Sequence, residues 1–402
     1  GSLQDSLLAI LYGFCSRVYF IKKRKNRKKD FFMKIAITAN SAWNLLNFRL
    51  SLIMQFMDEG HEVIAIAPSD GAEDKIVEKT GIKFIKLNSL SRKGSNPYQD
   101  IKLIREYRTI YKENKIDIAI QYTIKPNIYG SLAGGRTKTK TISNLTGLGY
   151  LFLSDSIKSK VAKKLYKLAL RKTSFACFHN QIDANLFQKL RLVSRDKIKV
   201  INGSGVDTTY YQAKSKPGTA NFVFLYIGRL LYDKGIRELL AAFKEINDAR
   251  LDITLHLLGD IDAGNDASLT NEELKGYKEN LNLVHHGMQA DVRPFIAKAD
   301  CVVLPSYREG LPKSLLEAMS MQRPFITVDS PGCGHLVENE RNGFLAKVKN
   351  IASLRDQMLR MVNLTESERF KMGQEGRKIV LEKYSCETIN NEYIKLISQL
   401  GA

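Results

Sequence analysis

Cysteine is scarce and scattered: the five residues, Cys15, Cys177, Cys301, Cys333 and Cys386, are odd in number and stand far apart with no paired ligand spacing. That argues against a disulfide scaffold or a cysteine zinc cluster and favours a reducing cytoplasm. A membrane-spanning run is missing from the amino end. The apolar stretch there, residues 7–21, is interrupted by Ser16 and Arg17, and it falls short of the roughly 20 residues that a spanning helix needs. Acidic residues are short in the first half only. Residues 1–32 hold eight basic side chains against two acidic ones and residues 33–205 hold 29 against 14, whereas residues 206–402 hold 25 against 26. The net charge of +20 therefore belongs to the first half. It implies an anionic partner, whether nucleic acid, membrane phosphate or a diphosphate substrate, and charge alone does not choose among them. At 402 residues, 44% hydrophobic and 26% charged, the chain is neither disordered nor collagen-like and can build one large or two ordinary domains.

Gly1-Ser2 reads as a cloning remnant. Residues 22–29, seven of them basic, directly follow the apolar stretch, which is the composition of a segment held against anionic lipid. Residues 1–32 are expected to be a basic membrane-proximal linker or anchor remnant, with an incidental basic tail as the alternative. A cleaved secretory signal is disfavoured, because there the charges precede the apolar stretch.

From Lys34 onward short apolar runs alternate with helical stretches. Strands are expected at 35–39, 63–67, 82–87, 117–121, 140–143, 175–179 and 197–201, with a polar loop at 40–47 and a helix at 48–59. The polar segment 212–221 marks a boundary, and a second series follows at 222–227, 253–258, 283–286, 301–304 and 325–328. Such βα alternation predicts two doubly wound α/β domains with parallel sheets covered on both faces. The expected division is 33–205, 206–380 and a closing helix at 381–402. Ligands collect at the carboxyl ends of such strands, so the loops after residues 227, 258, 304 and 328 should share a cleft.

The most informative run is SYREGLPKSLLEAM, residues 306–319, which places Glu309 in a loop and Glu317 on the helix after it. With Pro312 in the first turn, Glu317 lies about 7 Å further along the axis. Its neighbours Leu315, Leu316, Ala318 and Met319 predict a buried helix, and a buried carboxylate demands a partner. The functional reading has Glu317 accept from a hydroxyl pair of a ligand, with Glu309 near its reacting end; the plainer reading is one exposed helical glutamate and one turn glutamate. The loop after residue 227 supplies the complement. Gly228 lets the backbone approach a phosphate, Arg229 and Lys234 offer a forked donor and a point charge, and the helix opening at Leu311 to Ser314 adds N–H groups.

In this combination the chain resembles the retaining GT-B glycosyltransferases of family 4, from about Met33 to the C-terminus. The residues that carry the resemblance are Gly228-Arg229 with Lys234, Leu258-Gly259, the Glu309/Glu317 pair within Glu-Gly-Leu-Pro, Ser330-Pro-Gly332 and Asn342-Gly-Phe344, in the family's order. The resemblance implies a GT-B fold of two Rossmann-like domains and a metal-independent hexosyltransferase. In it Arg229 and Lys234 bind the donor diphosphate, Glu317 the ribose hydroxyls and Glu309 the transferred sugar. The expected donor site comprises Gly228, Arg229, Lys234, Gly259, Glu309, Gly310, Leu311, Pro312, Ser314 and Glu317, with Glu309, Arg229 and Lys234 as catalytic candidates. The last helix is expected to cross back onto the first domain. Asn47-Phe-Arg49, Lys125-Pro-Asn127 with Gly130, and Thr146-Gly-Leu-Gly149 resemble the subgroup that assembles capsules and lipid-linked glycans. That subgroup implies a UDP-sugar donor, with N-acetylgalactosamine as the first guess, a polyprenyl-diphosphate-linked saccharide as acceptor, and action at the cytoplasmic face of a bacterial inner membrane. The chain departs from the family in two places: the loop 121–127 lacks a histidine common there, with Tyr122, Thr123 and Ile124 instead, and His335 stands where a glutamate is usual. Asp260-Ile-Asp262 reads as a polar loop and not as a metal site.

A helix is expected at 157–172, with Ile157, Val161, Leu165 and Leu168 on one stripe among seven lysines and arginines. Its charge suits an anionic bilayer surface, while the stripe itself is expected to pack on the sheet. Loop 147–152 either inserts aromatics at the interface or packs internally. The rival functions are a nucleotide-sugar epimerase of the same fold and a basic nucleic-acid-binding protein. The latter gives no reason for acidic pairs beside phosphate ligands.

Overall fold

The computed structural model describes residues 32–401 apart from 92–95, 148–155, 217–220, 250–251, 263 and 339. The segment 1–31 and most of loop 147–152 lie outside the described residues. Strands β1 (Lys34–Thr38), β2 (Glu62–Ala67), β3 (Lys83–Lys86), β4 (Ile118–Tyr122), β5 (Lys140–Leu145), β6 (Phe175–Phe178) and β7 (Ile198–Val200) form a sheet in the order 3-2-1-4-5-6-7. β8 (Phe222–Ile227), β9 (Ile253–Leu258), β10 (Leu283–His285), β11 (Cys301–Leu304), β12 (Phe325–Val328) and β13 (Gly343–Ala346) form the other, in the order 10-9-8-11-12-13. Neighbouring strands are parallel throughout. Each order reverses once, between β1 and β4 and between β8 and β11, and the crevice outside the carboxyl ends of those strands is where such sheets bind ligands.

The helices that flank these crevices are α1 (Ala42–Phe48), α2 (Leu50–Asp58), α3 (Pro97–Glu113), α4 (Ile157–Leu170) and α5 (Gln181–Lys189) beside the first sheet, and α6 (Ile236–Asn247) and α7 (Lys313–Ser320) beside the second. The chain then returns. Val206 bridges to Ser385, and α8 (Cys386–Gly401) buries Ile389, Tyr393, Leu396 and Ile397 in the same apolar cluster as Ile35, Ile37 and Ile120. Each such side chain contributes about 1.5–3 kcal/mol when fully buried. The hydroxyl of Tyr393 also donates to Asn144 Oδ1 at 2.6 Å.

Three details differ from the sequence reading. The expected loop 40–47 is instead α1, because the Ser41 hydroxyl caps it by accepting from the Asn44 N–H at 3.1 Å while Ala42 and Leu45 are buried. Arg49 separates α1 from α2. Strand β13 was not anticipated: it has four residues, and it begins with a glycine whose missing side chain makes room for Phe325 O. On α4 the inward face is Ser159, Tyr166, Ala169 and Leu170, with Leu165 partly buried against the core. The rest of the expected packing stripe faces outward, Ile157 being 81% exposed, Val161 53% and Leu168 44%.

Candidate active site

The loops after β8 and β11 meet at the second reversal point. Lys234 Nζ lies 2.6 Å from Glu309 Oε1, both side chains being mostly buried. Tyr307 N–H donates to Asp233 O at 2.9 Å, which ties the two loops together by their backbones. Gly259 closes the third side with φ 133°, where a Cβ would stand 2.0 Å from Gly228 O, so no other residue fits that approach. The structure holds the two candidate cations on different carboxylates. Arg229 is largely exposed, and its Nη1 donates to Asp262 Oδ2 at 3.0 Å. Asp260 accepts from the Met288 N–H at 3.0 Å. Among the described residues no group of three or more His, Cys, Asp or Glu is placed to hold a metal ion.

Helix α7 is buried from Leu315 to Ser320, Glu317 included. Pro312 is its N-cap and not its first turn, and Lys313 and Ser314 open the helix. The first N–H groups of a helix have no intrahelical partner and carry its positive dipole end. Burial raises the pKa of Glu317, opposed by Lys313, whose Nζ is 3.8 Å away, and by a hydrogen bond from Tyr211. Nearby, burial and then the Glu309 charge push the Cys333 thiol up to about 12, which leaves it inert as a nucleophile at neutral pH. Cys177, Cys301, Cys333 and Cys386 are all free thiols.

Gly228, Arg229, Gly259, Asp262, Met288 and Gln289 line a cavity of about 440 Å³, and Trp43 of α1 closes it from the first domain. Trp43, Met288 and Gln289 escaped sequence reasoning. Trp43 is the single tryptophan of the chain, which was the available signal, but it fell in a segment read as loop. A second cavity, about 360 Å³, lies at the first reversal point and is lined by Asn40, Thr123, Lys125, Asn127, Thr146 and Tyr166. Thr123, which stands in the usual histidine loop, has φ 73° and a buried hydroxyl without a hydrogen-bond partner. Such strain, about 1–3 kcal/mol, gathers at functional sites.

Asn47-Phe-Arg49 joins the two halves. Lys313 Nζ donates to Asn47 O at 2.9 Å and lies 5.0 Å from the Phe48 ring, while the buried Arg49 guanidinium stacks 3.6 Å from the Tyr122 ring. Burial, then the Arg49 charge, lowers the pKa of His179 to about 3, so this imidazole is neutral at physiological pH. His335 is exposed on the short turn Gly334–Leu336.

Two family profiles match the chain: "Glycosyl transferase 4-like" over residues 34–180 and "Glycosyl transferases group 1" over residues 207–379. The chain is a glycosyltransferase of the family-4-like group. Across 386 residues this glycosyltransferase is 26% identical to the N,N'-diacetylbacillosaminyl-diphospho-undecaprenol alpha-1,3-N-acetylgalactosaminyltransferase of Campylobacter jejuni, covering 92% of this chain and 99% of that one. It is 29% identical over 282 residues to the UDP-Gal:alpha-D-GlcNAc-diphosphoundecaprenol alpha-1,3-galactosyltransferase of Escherichia coli, covering 66% of this chain and 71% of that one. Its GT-B fold is shared with Anabaena HepE, solved in complex with UDP, at a TM-score of 0.74 and 20% identity, over 91% of this chain and 100% of that one.

Proposed function

We propose that this glycosyltransferase moves a sugar from a UDP-sugar to a polyprenyl-diphosphate-linked saccharide, with retention of anomeric configuration and without a metal. The observation that carries the reading is the interleaving of Lys234 with Glu309 and of Lys313 with Glu317 at the opening of α7. Cations and helix N–H groups suit a diphosphate, and carboxylates suit sugar and ribose hydroxyls. The names of the Campylobacter and Escherichia relatives, both acting on undecaprenol-diphosphate glycans, support the acceptor class. Residues 206–380 would bind the donor and residues 33–205 the acceptor, at the cavity of Thr123 and Lys125. N-acetylgalactosamine is the first donor to try. Incubating the protein with lipid-linked saccharides and a panel of UDP-sugars should give UDP release that depends on the acceptor; release with no member of the panel would refute the reading.

The same proposal places the enzyme on the anionic cytoplasmic face of a bacterial inner membrane. Ile157, Val161 and Leu168 are exposed on α4 beside the exposed Lys160, Lys164 and Arg171, while Tyr166 of the same helix lines the first-domain cavity. An apolar stripe among lysines seats in the headgroup region, where each basic side chain contributes about 1 kcal/mol. Lys160→Glu with Lys164→Glu and Val161→Asp should weaken binding to phosphatidylglycerol vesicles about tenfold or more at physiological salt. Unchanged co-sedimentation would remove α4 from the membrane surface.

A further inference from the structure

We infer that the first domain sets the conformation of the loop bearing Glu309, with Asp183 as a positioning residue that acts through Arg308. The inference rests on the proposed role of Glu309. It begins at α5, whose N-cap Asn180 accepts from the Asp183 N–H at 2.8 Å and donates through Nδ2 to Asp183 Oδ2 at 3.2 Å. The same amide donates to Gly310 O across the cleft at 3.0 Å. Asp183 is fully buried and pairs with Arg308 Nη2. A buried carboxylate keeps its charge only with such a partner. Burial does raise its pKa, and Arg308 is the main force holding it down.

Both neighbours of Glu309 are thus gripped by the opposite domain. At Gly310 the two backbones also lie close, since a Cβ there would stand 1.9 Å from Thr146 O. Glu309 itself is held by its own domain: its N–H donates to Pro331 O at 2.9 Å, and a Cβ on Gly332 would meet Glu309 O at 2.1 Å. The loop whose carboxylate reaches Lys234 is therefore fixed from two sides, one of them the first domain.

The test is a double-mutant cycle on the full chain with Asp183→Asn, Arg308→Met and both together, reading kcat, donor KM and the Kd for UDP. A misplacement of about 1 Å can cost about 10²-fold. Each single change should therefore lower kcat by about 30- to 100-fold, with the Kd for UDP within about twofold, and the double variant should be no worse than the singles. Arg308→Lys should recover part of the loss. Hydrogen exchange provides a readout free of activity: the amides of 308–310 should exchange faster in Asp183→Asn while those of β8 and β11 do not change. Singles within about threefold of wild type, losses that multiply, or unchanged exchange at 308–310 would overturn the inference. A wild-type protein that turns over no UDP-sugar would instead overturn the proposed function, and the exchange result would still decide whether Asp183 positions the loop.

Discussion

Lys234→Met is expected to lower transfer by about 10²- to 10³-fold, with a smaller rise in donor KM. This is the size of effect seen when one preorganised donor to a developing negative charge is removed. Lys234 and Glu309 face each other at 2.6 Å, both at about one-fifth exposure or less. Water screens such a pair less than it screens an exposed one, so the ammonium acts more strongly on an entering anion than a surface lysine would. Without ligand the carboxylate neutralises it. In the proposed reaction a bound diphosphate would take over the cation as charge builds on the leaving oxygen, and Glu309 would be released to accept from sugar hydroxyls. Glu309→Gln should accordingly lower kcat by a similar factor, because a neutral amide accepts more weakly than a carboxylate. Steady-state UDP release checks both. If Glu309→Gln and Glu317→Ala both leave transfer within about threefold of wild type, the assigned site is wrong.

The sheets were legible because their strands are near-continuous apolar runs between helical stretches, as parallel strands buried on both faces must be. Cys301–Leu304 and Phe325–Val328 fall where composition puts them. Legibility failed where local signals conflicted. Around α1, Ser41, Asn44 and Asn47 read as loop, although Ser41 is a cap and Leu45 an anchor. In α4 the more regular apolar stripe was the outward one, because the inward face alternates the small Ser159 and Ala169 with Tyr166 and Leu170 and so breaks the periodic pattern. Periodicity finds an apolar face; it does not say which neighbour, or which solvent, that face meets.

The placement of the segment from Glu309 to Glu317 was readable for a different reason. Glu309, Pro312 and Glu317 lie within nine residues, so one loop and one helix place them, and their order already implies burial beside a helix N-terminus. What sequence does not carry is pairing across long separations. That Lys234 answers Glu309, that Lys313 reaches Asn47, and that Asp183 meets Arg308 depend on loops from separate strands and on the closeness of the two domains. The separation of Arg229 from Lys234 onto different carboxylates has the same origin. Their spacing in the chain is five residues, yet the turn at Tyr232–Lys234 sends them to different partners.

Glu317→Gln is expected to do two opposite things: stabilise the empty protein by about 1 kcal/mol and weaken UDP binding by about 10- to 100-fold. Glu317 is 6% exposed, and its nearest cation, Lys313, is 3.8 Å away and itself partly solvated. Burial therefore outweighs pairing, and the folded-state pKa lies above the unfolded carboxylate value of 4.5. A raised carboxylate pKa means that the native state binds a proton more readily than the unfolded chain. The stability this brings is present below pH 4.5 and is lost as pH rises through the folded pKa, so at pH 7 the ionised side chain is a net cost. Glutamine keeps the shape, removes the charge and should flatten that part of the pH dependence. Bound UDP should reverse the ranking. Two ribose hydroxyls donating to a carboxylate make charge-assisted hydrogen bonds, each stronger than one to an amide by about 1 kcal/mol or more. Thermal melts at pH 7 should thus place the variant above wild type without UDP and below it at saturating UDP, since binding adds RT ln(1 + [L]/Kd) to the tighter form. A variant that melts lower when empty and binds UDP as wild type does would show that Glu317 serves the packing of α7 and not the nucleotide.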